Sequence, residues 1–390
     1  MKKIVDILNF NADASCLSTS DWLKALDGGK SSQLSRWLNL YITKGKKIVL
    51  GFTGATIADI AVRNPQSIAV INEHPETFQV ILRPFAHDIA LLRTTIGFSS
   101  NFLHGERTIR KEFSNVHNFF LPPEFMVTNE QLMILHERGV EGVFVNPERF
   151  SEDMRRRIPD FPYTVLGLFG CEMPCIPFRG KLTEDYLLSL HMFDPAPWNR
   201  SLQELGDEPI FIWRDGESSF LFPEGFARET HWLEGEDKKI SREHLGTSKI
   251  DFLQPDCLPA TYYRPYPVHS FTVWMKEFRM LGFLNRIGKI EASLDLLSEE
   301  GIHYWLMTIN SDILSAIEKP PPCFPIRQDP VKPDIMDLTL HRSERGFEGE
   351  EYLAILERFI ASGKVPDYVV SSNAPHIERF RNRLDYLNTL

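Results

Sequence analysis

The stretch NFFLPPEFMVTNEQLMILHERGVEGVFV, residues 118–145, contains a strand, a helix and a second strand in that order. The apolar run at 118–121 predicts the first strand. Residues 129–138 predict a helix, and Gly139 directly after them is a common helix terminator. The run at 142–145 is short and rich in valine and phenylalanine, as in parallel strands buried on both faces. The whole stretch therefore predicts a βαβ unit.

The same pattern repeats on both sides of this unit. Helical stretches such as residues 31–43 separate further apolar runs of similar length and composition. These candidate strands cover residues 4–10, 47–52, 78–82, 164–168 and 209–213. Repeated alternation of strand and helix predicts an α/β fold with a parallel sheet.

The alternation stops after Trp213, which suggests a division of the chain. We expect a barrel domain over residues 1–268, with a long loop excursion at 215–267 that is rich in Pro, Gly, Asp and Glu. We expect a helical region packed on the barrel over residues 269–390. Its predicted helices cover residues 270–284, 289–300, 350–361 and 374–386.

The composition excludes several classes of protein. The chain has 390 residues, 43% of them hydrophobic, and 53 acidic against 43 basic residues give a net charge of -10. An acidic chain is a poor partner for nucleic acid, and no apolar run approaches the ~18 residues of a membrane span. The start of the chain reads as a strand and not as a signal peptide. The five scattered cysteines suit a reducing compartment, so we expect a cytoplasmic protein.

The first candidate site residue follows the strand at 118–121. That strand ends in two prolines and Glu124. A carboxylate at the carboxyl end of a barrel strand points into the mouth where substrates bind. The two prolines restrict the backbone and would hold the carboxylate in place. The alternative is a surface glutamate after a turn.

A second acidic segment follows the strand at 209–213, in the sequence PIFIWRDGE. It contains Asp215 and Glu217, and His231 and Trp232 follow in HWLEG. An aromatic ring beside polar groups is typical of sugar-binding clefts, because the ring covers the apolar face of a sugar. The alternative is a solvated acidic loop.

Two further segments add weaker candidates. RPFAHD, residues 83–88, places His87 after a strand, where a lone histidine is more often structural. WLMTINSD, residues 305–312, contains Trp305 and Asp312, and its Ser-Asp pair is also consistent with a helix cap.

Taken in chain order, these motifs resemble glycoside hydrolase family 57. The resemblance covers roughly residues 4–315 and rests on RPFAH, FFLPPE, the Asp-x-Glu with the later His-Trp, and the tryptophan before Ser-Asp. It implies an incomplete (β/α)7-type barrel with a helical C-terminal region. Two departures stand out. The first strand has Asn-Phe-Asn-Ala-Asp at 9–13 in place of His-x-His-Gln-Pro, and residues 218–230 separate the acidic pair from His-Trp.

The resemblance implies a retaining glycosidase or glycosyl-transferring enzyme acting on α-linked sugars of an oligosaccharide or glycoconjugate. Glu124 would be the nucleophile and Asp215 the acid/base, with carboxyl groups about 5–5.5 Å apart. Asp215 would then need a raised pKa, from burial and from the charge of Glu124. No metal or organic cofactor is needed. The expected substrate contacts are Asn11, Asp13, His87, Glu217, His231, Trp232, Trp305 and Asp312.

Two other functions stay open. A metal-dependent carbohydrate deacetylase would need an Asp with two histidines, typically spaced His-x-x-x-His. Asp13 could serve, but Leu91 lies four residues after His87. A catalytically inactive carbohydrate-binding or scaffold protein of the same fold would explain the missing first-strand histidines, but not the presence of both carboxylates.

Overall fold

A computed structural model describes most of the chain. It covers residues 2–13, 18–147, 162–166, 171–179, 182, 196–203, 209–221, 223–236, 240–245, 278–311, 335–365 and 374–390. Asp312, the segment 246–277 and the proline-rich stretch up to residue 334 lie outside these ranges.

In the described ranges, nine strands form one sheet. They are β1 (Lys2–Phe10), β2 (Ile48–Phe52), β3 (Phe78–Leu82), β4 (Val116–Phe120), β5 (Gly142–Val145), β6 (Tyr163–Leu166), β7 (Glu172–Pro177), β8 (Ile210–Asp215) and β9 (Ile240–Arg242). Parallel pairing runs in the order β7-β5-β4-β3-β2-β1-β8. Strand β6 adds to β7 in the antiparallel direction, and β9 pairs with the start of β1.

The predicted incomplete (β/α)7-type barrel is confirmed. The seven parallel strands curve until β7 approaches β8, and the N–H of Arg179 donates to the carbonyl of Phe211 at 3.1 Å beside the open edge. The predicted strands agree with the observed ones to within a few residues, because strands buried on both faces are apolar along their whole length.

Twelve helices accompany the sheet in the described ranges. They are α1 (Thr19–Leu26), α2 (Gln33–Lys44), α3 (Gly54–Arg63), α4 (Pro65–Glu73), α5 (Thr95–Glu112), α6 (Asn129–Glu137), α7 (Ala196–Gln203), α8 (Pro223–Gly235), α9 (Phe278–Glu291), α10 (Glu299–Thr308), α11 (Ile335–Ser362) and α12 (Pro375–Leu387). None of them is long and apolar enough to span a membrane.

Two sequence predictions of elements are wrong. The excursion expected at 215–267 contains helix α8 and strand β9 within its described part, so it is not a plain loop. The single helix expected at 289–300 is instead the end of α9 and the start of α10. The chain breaks between them because Ser298 caps α10, its side chain accepting from the N–H of Gly301 at 3.2 Å.

Alternation along the strands separates two cores. Side chains that point into the barrel form one apolar cluster, which includes Val5, Ile7, Val49, Ile81, Phe119, Phe144, Ile176 and Phe211. Side chains of the opposite parity pack against the surrounding helices in a larger cluster. The barrel interior is therefore a filled core, and only its top layer can carry polar chemistry.

The helical C-terminal region shares a third core with the barrel. Phe85 and Ile89, from the segment after β3, pack in one cluster with side chains of α9, α10, α11 and α12. This packing brings the end of α10 to the carboxyl ends of the strands.

Candidate active site

The top layer of the barrel interior is polar. Asn9 and Asp215 are register partners on β1 and β8, and both have the inward parity of their strands. The amide of Asn9 donates to Oδ1 of Asp215 at 3.0 Å. Strand pairing thus places Asp215 at the mouth and holds one of its oxygens.

Glu124 lies at the end of β4 in a strained turn. Glu124 and Phe125 are successive non-glycine residues with positive φ, 52° and 55°. Such conformations cost free energy and persist only where packing enforces them. The ring of Phe125 provides that packing, with centroid distances of 4.7 Å to Trp213 on β8 and 5.3 Å to Phe178. The turn that carries Glu124 is therefore fixed against the strand that carries Asp215.

Arg83 is the central cation of the mouth, and sequence reasoning missed it. It follows Gln79 and Ile81 in inward parity and is fully buried. Burial lowers the pKa of Arg83 to about 10, while the charges of Glu217, Asp215 and Glu124 raise it. All three carboxyl groups therefore act on one guanidinium.

The barrel leaves room for this arginine through a glycine on the next strand. A Cβ at Gly51 would lie 3.2 Å from Cδ of Arg83 and 3.0 Å from Cδ2 of Leu121, closer than ordinary contact. The carbonyl of Gly51 in turn accepts a hydrogen bond from Nη1 of Arg83 at 3.4 Å. Nε of Arg83 is buried without a hydrogen-bond partner in the described residues, so the group can still donate.

Glu217 is the buried carboxyl of the mouth. It is 4% exposed, whereas Asp215 is exposed. Burial raises the pKa of Glu217 well above its usual range, and the charge of Asp215 adds to this. Backbone hydrogen bonds and Arg83 act in the opposite direction. The expectation that Asp215 would be buried is wrong, because the end of β8 is exposed to solvent. The buried carboxyl group is instead that of Glu217, two residues later.

His87 is connected to Glu124 through Ser311. Nδ1 of His87 lies 3.1 Å from Oγ of Ser311, and that hydroxyl donates to Oε1 of Glu124 at 3.4 Å. The N–H of Ser311 also donates to the carbonyl of His87 at 2.8 Å. Burial lowers the pKa of His87 well below its usual range, and Arg83 lowers it further, so the ring is neutral. From the sequence, Ser311 was half of a Ser-Asp pair that could cap a helix or contact a ligand.

Asn11 and Asp13, which follow β1, form hydrogen bonds and ion pairs with other residues of the protein. Asp13 has its two oxygens 2.8 Å from Arg379 and 2.8 Å from Arg383 of α12. Oδ1 of Asn11 accepts from the N–H of Asp13 at 3.1 Å, and its backbone hydrogen-bonds Glu217. Both oxygens of Asp13 already pair with arginines of the protein, and its expected role as a substrate contact stays a prediction. Its carboxylate bridges two buried arginines, which also pair with Glu348 and Asp59.

Three expected substrate contacts lie away from the mouth. His231 and Trp232 are on α8, whose end lies by the amino ends of the strands, where Glu236 pairs with Lys46 just before β2. Trp232 is 1% exposed and packs against Trp198 in the outer core. Trp305 is fully buried in the core of the helical region. Helical periodicity, with one face toward the core, places these tryptophans inside the protein. Asp312 lies outside the described residues.

The mouth thus combines two accessible carboxyl groups, a buried third one and a buried cation. Glu124 and Asp215 stand on opposite elements that Phe125 and Trp213 join. Carboxyl pairs of this kind can serve as nucleophile and proton donor in the cleavage of a glycosidic bond. The cation favours the ionised form of a nearby carboxylate, and burial favours the protonated form of another.

The architecture is that of the family 57 glycoside hydrolase barrel. The GH57-type branching enzyme from the hyperthermophilic archaeon Pyrococcus horikoshii is similar at a TM-score of 0.66 and 10% identity, covering 100% of this chain and 95% of that one. The novel alpha-amylase AmyC from Thermotoga maritima is similar at a TM-score of 0.57 and 10% identity, covering 100% and 98%.

A longer protein shares the same core. The match to 4-alpha-glucanotransferase from Thermococcus litoralis has a TM-score of 0.52 and 16% identity, and covers 81% of this chain. It spans about half, 53%, of that protein's length. No protein-family model matches the sequence, and no curated protein matches it. At these identities the likeness defines the fold.

Proposed function

We propose that the protein is a retaining carbohydrate-active enzyme that cleaves α-linked sugars and passes the glycosyl group to water or to a sugar hydroxyl. The observation that carries this proposal is the placement of Glu124 and Asp215 at the barrel mouth: Phe125, next to Glu124, packs at 4.7 Å on Trp213, two residues before Asp215 on the same strand. The three similar structures, a branching enzyme, an amylase and a glucanotransferase, support an α-glucan as the substrate class.

In this proposal Glu124 attacks the anomeric carbon. The carboxylate must be ionised to do so, and it lies beside the positive charge of Arg83 and accepts from the hydroxyl of Ser311. The strained turn fixes its direction, because Phe125 cannot move without leaving Trp213. A fixed nucleophile saves the entropy of alignment in the transition state.

Asp215 is the proposed acid/base. It protonates the leaving oxygen and then activates the water or hydroxyl that releases the glycosyl group from Glu124. Exposure at the end of β8 gives it access to the leaving group, and Asn9 holds one of its oxygens. Burial raises the pKa of the neighbouring Glu217, which disfavours a third negative charge at the mouth.

The first strand explains why the substrate contacts differ from the pattern of the family. Asn9 and Asn11 stand where that pattern has histidines. Asp13 stands where it has proline and is engaged with Arg379 and Arg383. The same ion pairs disfavour a metal-dependent deacetylase, since Asp13 was its candidate ligand. We propose that the sugar contacts come instead from His87 and from the donors of Arg83.

The test is turnover of α-glucans by three variants. Glu124→Gln removes the nucleophile, so we expect kcat to fall by several orders of magnitude while thermal unfolding is nearly unchanged. Asp215→Asn should slow natural glucans much more than aryl glycosides with a good leaving group, because only poor leaving groups need a proton. Glu130→Gln, an exposed glutamate six residues after Glu124, is the matched control and should keep full activity.

Other outcomes have clear meanings. Full activity in Glu124→Gln, or losses that follow stability, would reject the proposed nucleophile. If Glu217→Gln and not Asp215→Asn showed the dependence on the leaving group, proton transfer would belong to Glu217. No turnover of any α-glucan by the wild-type protein, together with saturable binding of the same glucans, would favour the inactive carbohydrate-binding protein.

A further inference from the structure

Two histidines meet where barrel helix α5 contacts α10 of the helical region. His104 comes from α5, and His303 comes from α10 together with Glu299, one turn earlier on the same face. The two rings are edge to face with centroids 5.4 Å apart. One potential ligand atom from each of the three residues lies within 4.8 Å of the others. None of these residues belongs to the barrel mouth.

The hydrogen bonds of the two rings determine which nitrogens can bind a metal. Nδ1 of His104 lies 2.8 Å from the carbonyl of Ser100, and Nδ1 of His303 lies 3.1 Å from Oδ1 of Asn388. These oxygens can only accept, so each Nδ1 carries the hydrogen and each Nε2 keeps a lone pair. Metal-binding histidines commonly show this arrangement, because the second hydrogen bond orients the ring.

The lone pair on Nε2 of His104 is buried and accepts no hydrogen bond from the described residues. His104 is 7% exposed, and its Nε2 has no hydrogen-bond partner in the described part of the chain. A buried acceptor without a donor is unfavourable unless something else fills its place. His303 is 3% exposed beside it.

Both imidazole rings have lowered pKa values. Burial lowers the pKa of His104, and the nearby His303 and Arg107 lower it further against the hydrogen bond to Ser100. Burial also lowers the pKa of His303, while the hydrogen bond to Asn388 and the carboxylates of Glu299 and Glu300 raise it.

We propose that His104, His303 and Glu299 bind a divalent transition-metal ion of the zinc class. Zinc binds imidazole nitrogen and carboxylate oxygen at about 2.0–2.2 Å and takes four ligands, so the fourth position would hold water. The Glu299 side chain is 74% exposed and only 3.9 Å from Arg107, so it can turn from that weak contact toward the ion. The ion would join α5 to α10 and so fasten the helical region to the barrel.

The test is zinc titration of the full-length protein after chelator treatment, followed by calorimetry. We expect one stoichiometric site in the wild-type protein. His303→Ala and His104→Ala should weaken zinc affinity by about 100-fold or more. Asn388→Ala removes only the hydrogen bond that orients the ring of His303, and should weaken the affinity by about 10–100-fold. Glu299→Gln changes a surface side chain, so this variant is expected to fold and still lose at least about tenfold in affinity.

The matched control is His376→Ala. His376 and Glu351 form a two-group pair at 2.8 Å, so this variant should bind zinc as the wild-type protein does. Zinc should also raise the melting temperature of the wild-type protein and of His376→Ala, but not that of His303→Ala. Absence of a stoichiometric site in the wild-type protein would overturn the proposal. Equal affinity in wild type and Glu299→Gln, or an equal loss in His376→Ala, would do the same.

Discussion

The positive charge of Arg83 interacts with the carboxyl groups of Glu124, Asp215 and Glu217, each of which raises the pKa of Arg83. Its position could have been inferred from the sequence, because Gln79, Ile81 and Arg83 alternate with outward residues of β3 and the last inward residue of a barrel strand faces the mouth. The motif RPFAH points instead to His87. The alternation of inward and outward residues along β3 thus predicts which side chains face the mouth better than the motif does.

The burial of Glu217 gives a prediction for pH dependence. Its folded pKa is raised, so the protonated group stabilises the folded protein fully below the unfolded pKa of about 4.3. That contribution is lost as the pH rises toward the folded pKa. Glu217→Gln cannot ionise, so its melting temperature relative to wild type should rise between about pH 4 and pH 8.

Thermal unfolding over this pH series measures the effect. Glu130→Gln, which removes an exposed charge, supplies the baseline for a change of net charge alone. A difference between Glu217→Gln and wild type that stays flat with pH, or falls, would show that Glu217 is ionised in the folded protein.

Motif matching failed at His231 and Trp232 for a physical reason. A motif gives spacing along the chain but not the direction of a side chain. In α8 the helical period turns Trp232 and Leu233 toward the outer core, both at most 4% exposed. The helix itself was missed, because its apolar residues lie among prolines, glycines and acids that suggested a loop.

At the scale of elements, apolar strands were predicted well and helix ends poorly. Buried parallel strands are apolar on both faces, and this signal is local. The break between α9 and α10 depends on the cap at Ser298 and on packing of both helices into the third core. Such tertiary packing is not visible in a local window of sequence.

The contact of α12 with the barrel yields a prediction of stability. Arg383 bonds Asp13 at 2.8 Å and Asp59 at 2.6 and 2.7 Å, and all three residues are buried. Arg383→Ala leaves two buried carboxylates with a lost partner, so the free energy of unfolding should fall by about 3–5 kcal/mol. Urea unfolding measures this loss.

Arg110→Ala is the control for that experiment. Arg110 is a half-exposed arginine that pairs with Glu106 on the same helix at 2.9 Å. A surface pair of this kind contributes about 1 kcal/mol or less. Similar losses in the two variants would contradict the proposed importance of the buried contact between α12 and the barrel.

At the scale of the whole molecule, the fold class could be predicted and the mouth only in part. Alternation of strand and helix is spread along the chain and needs no long-range information. The partners of the polar residues do need it: Asp13 and Arg383 are 370 positions apart, and Ser311 and Glu124 are 187 apart. The local pattern predicted that Glu124 and Asp215 lie at the ends of strands. It did not predict that Asp13 forms ion pairs with arginines of α12.

The division into a barrel domain, residues 1–268, and a helical region, residues 269–390, remains a proposal. The third core contains side chains from both parts, which argues against two independent domains. Phe85 and Ile89 of the barrel pack with the helical region, and Ser311 contacts Glu124. We therefore expect both parts to unfold together. Calorimetry in the presence of a chelator should give one transition with equal calorimetric and van't Hoff enthalpies. Two separate transitions would show that the parts are independently stable.

Trapping of the glycosyl-enzyme tests the central claim most directly. A glucosyl fluoride with a further fluorine on the ring should leave a long-lived ester on the nucleophile of a retaining enzyme. The ring fluorine slows both oxocarbenium-like steps, whereas the good fluoride leaving group keeps the first step fast. We predict that mass spectrometry of the intact protein shows the addition of one glycosyl group, and that peptide mapping places it on Glu124. Glu124→Gln should stay unlabelled, and Glu130→Gln should be labelled as the wild-type protein is. Glycosylation at another residue, or turnover of α-glucans with inverted stereochemistry and no label, would contradict the account.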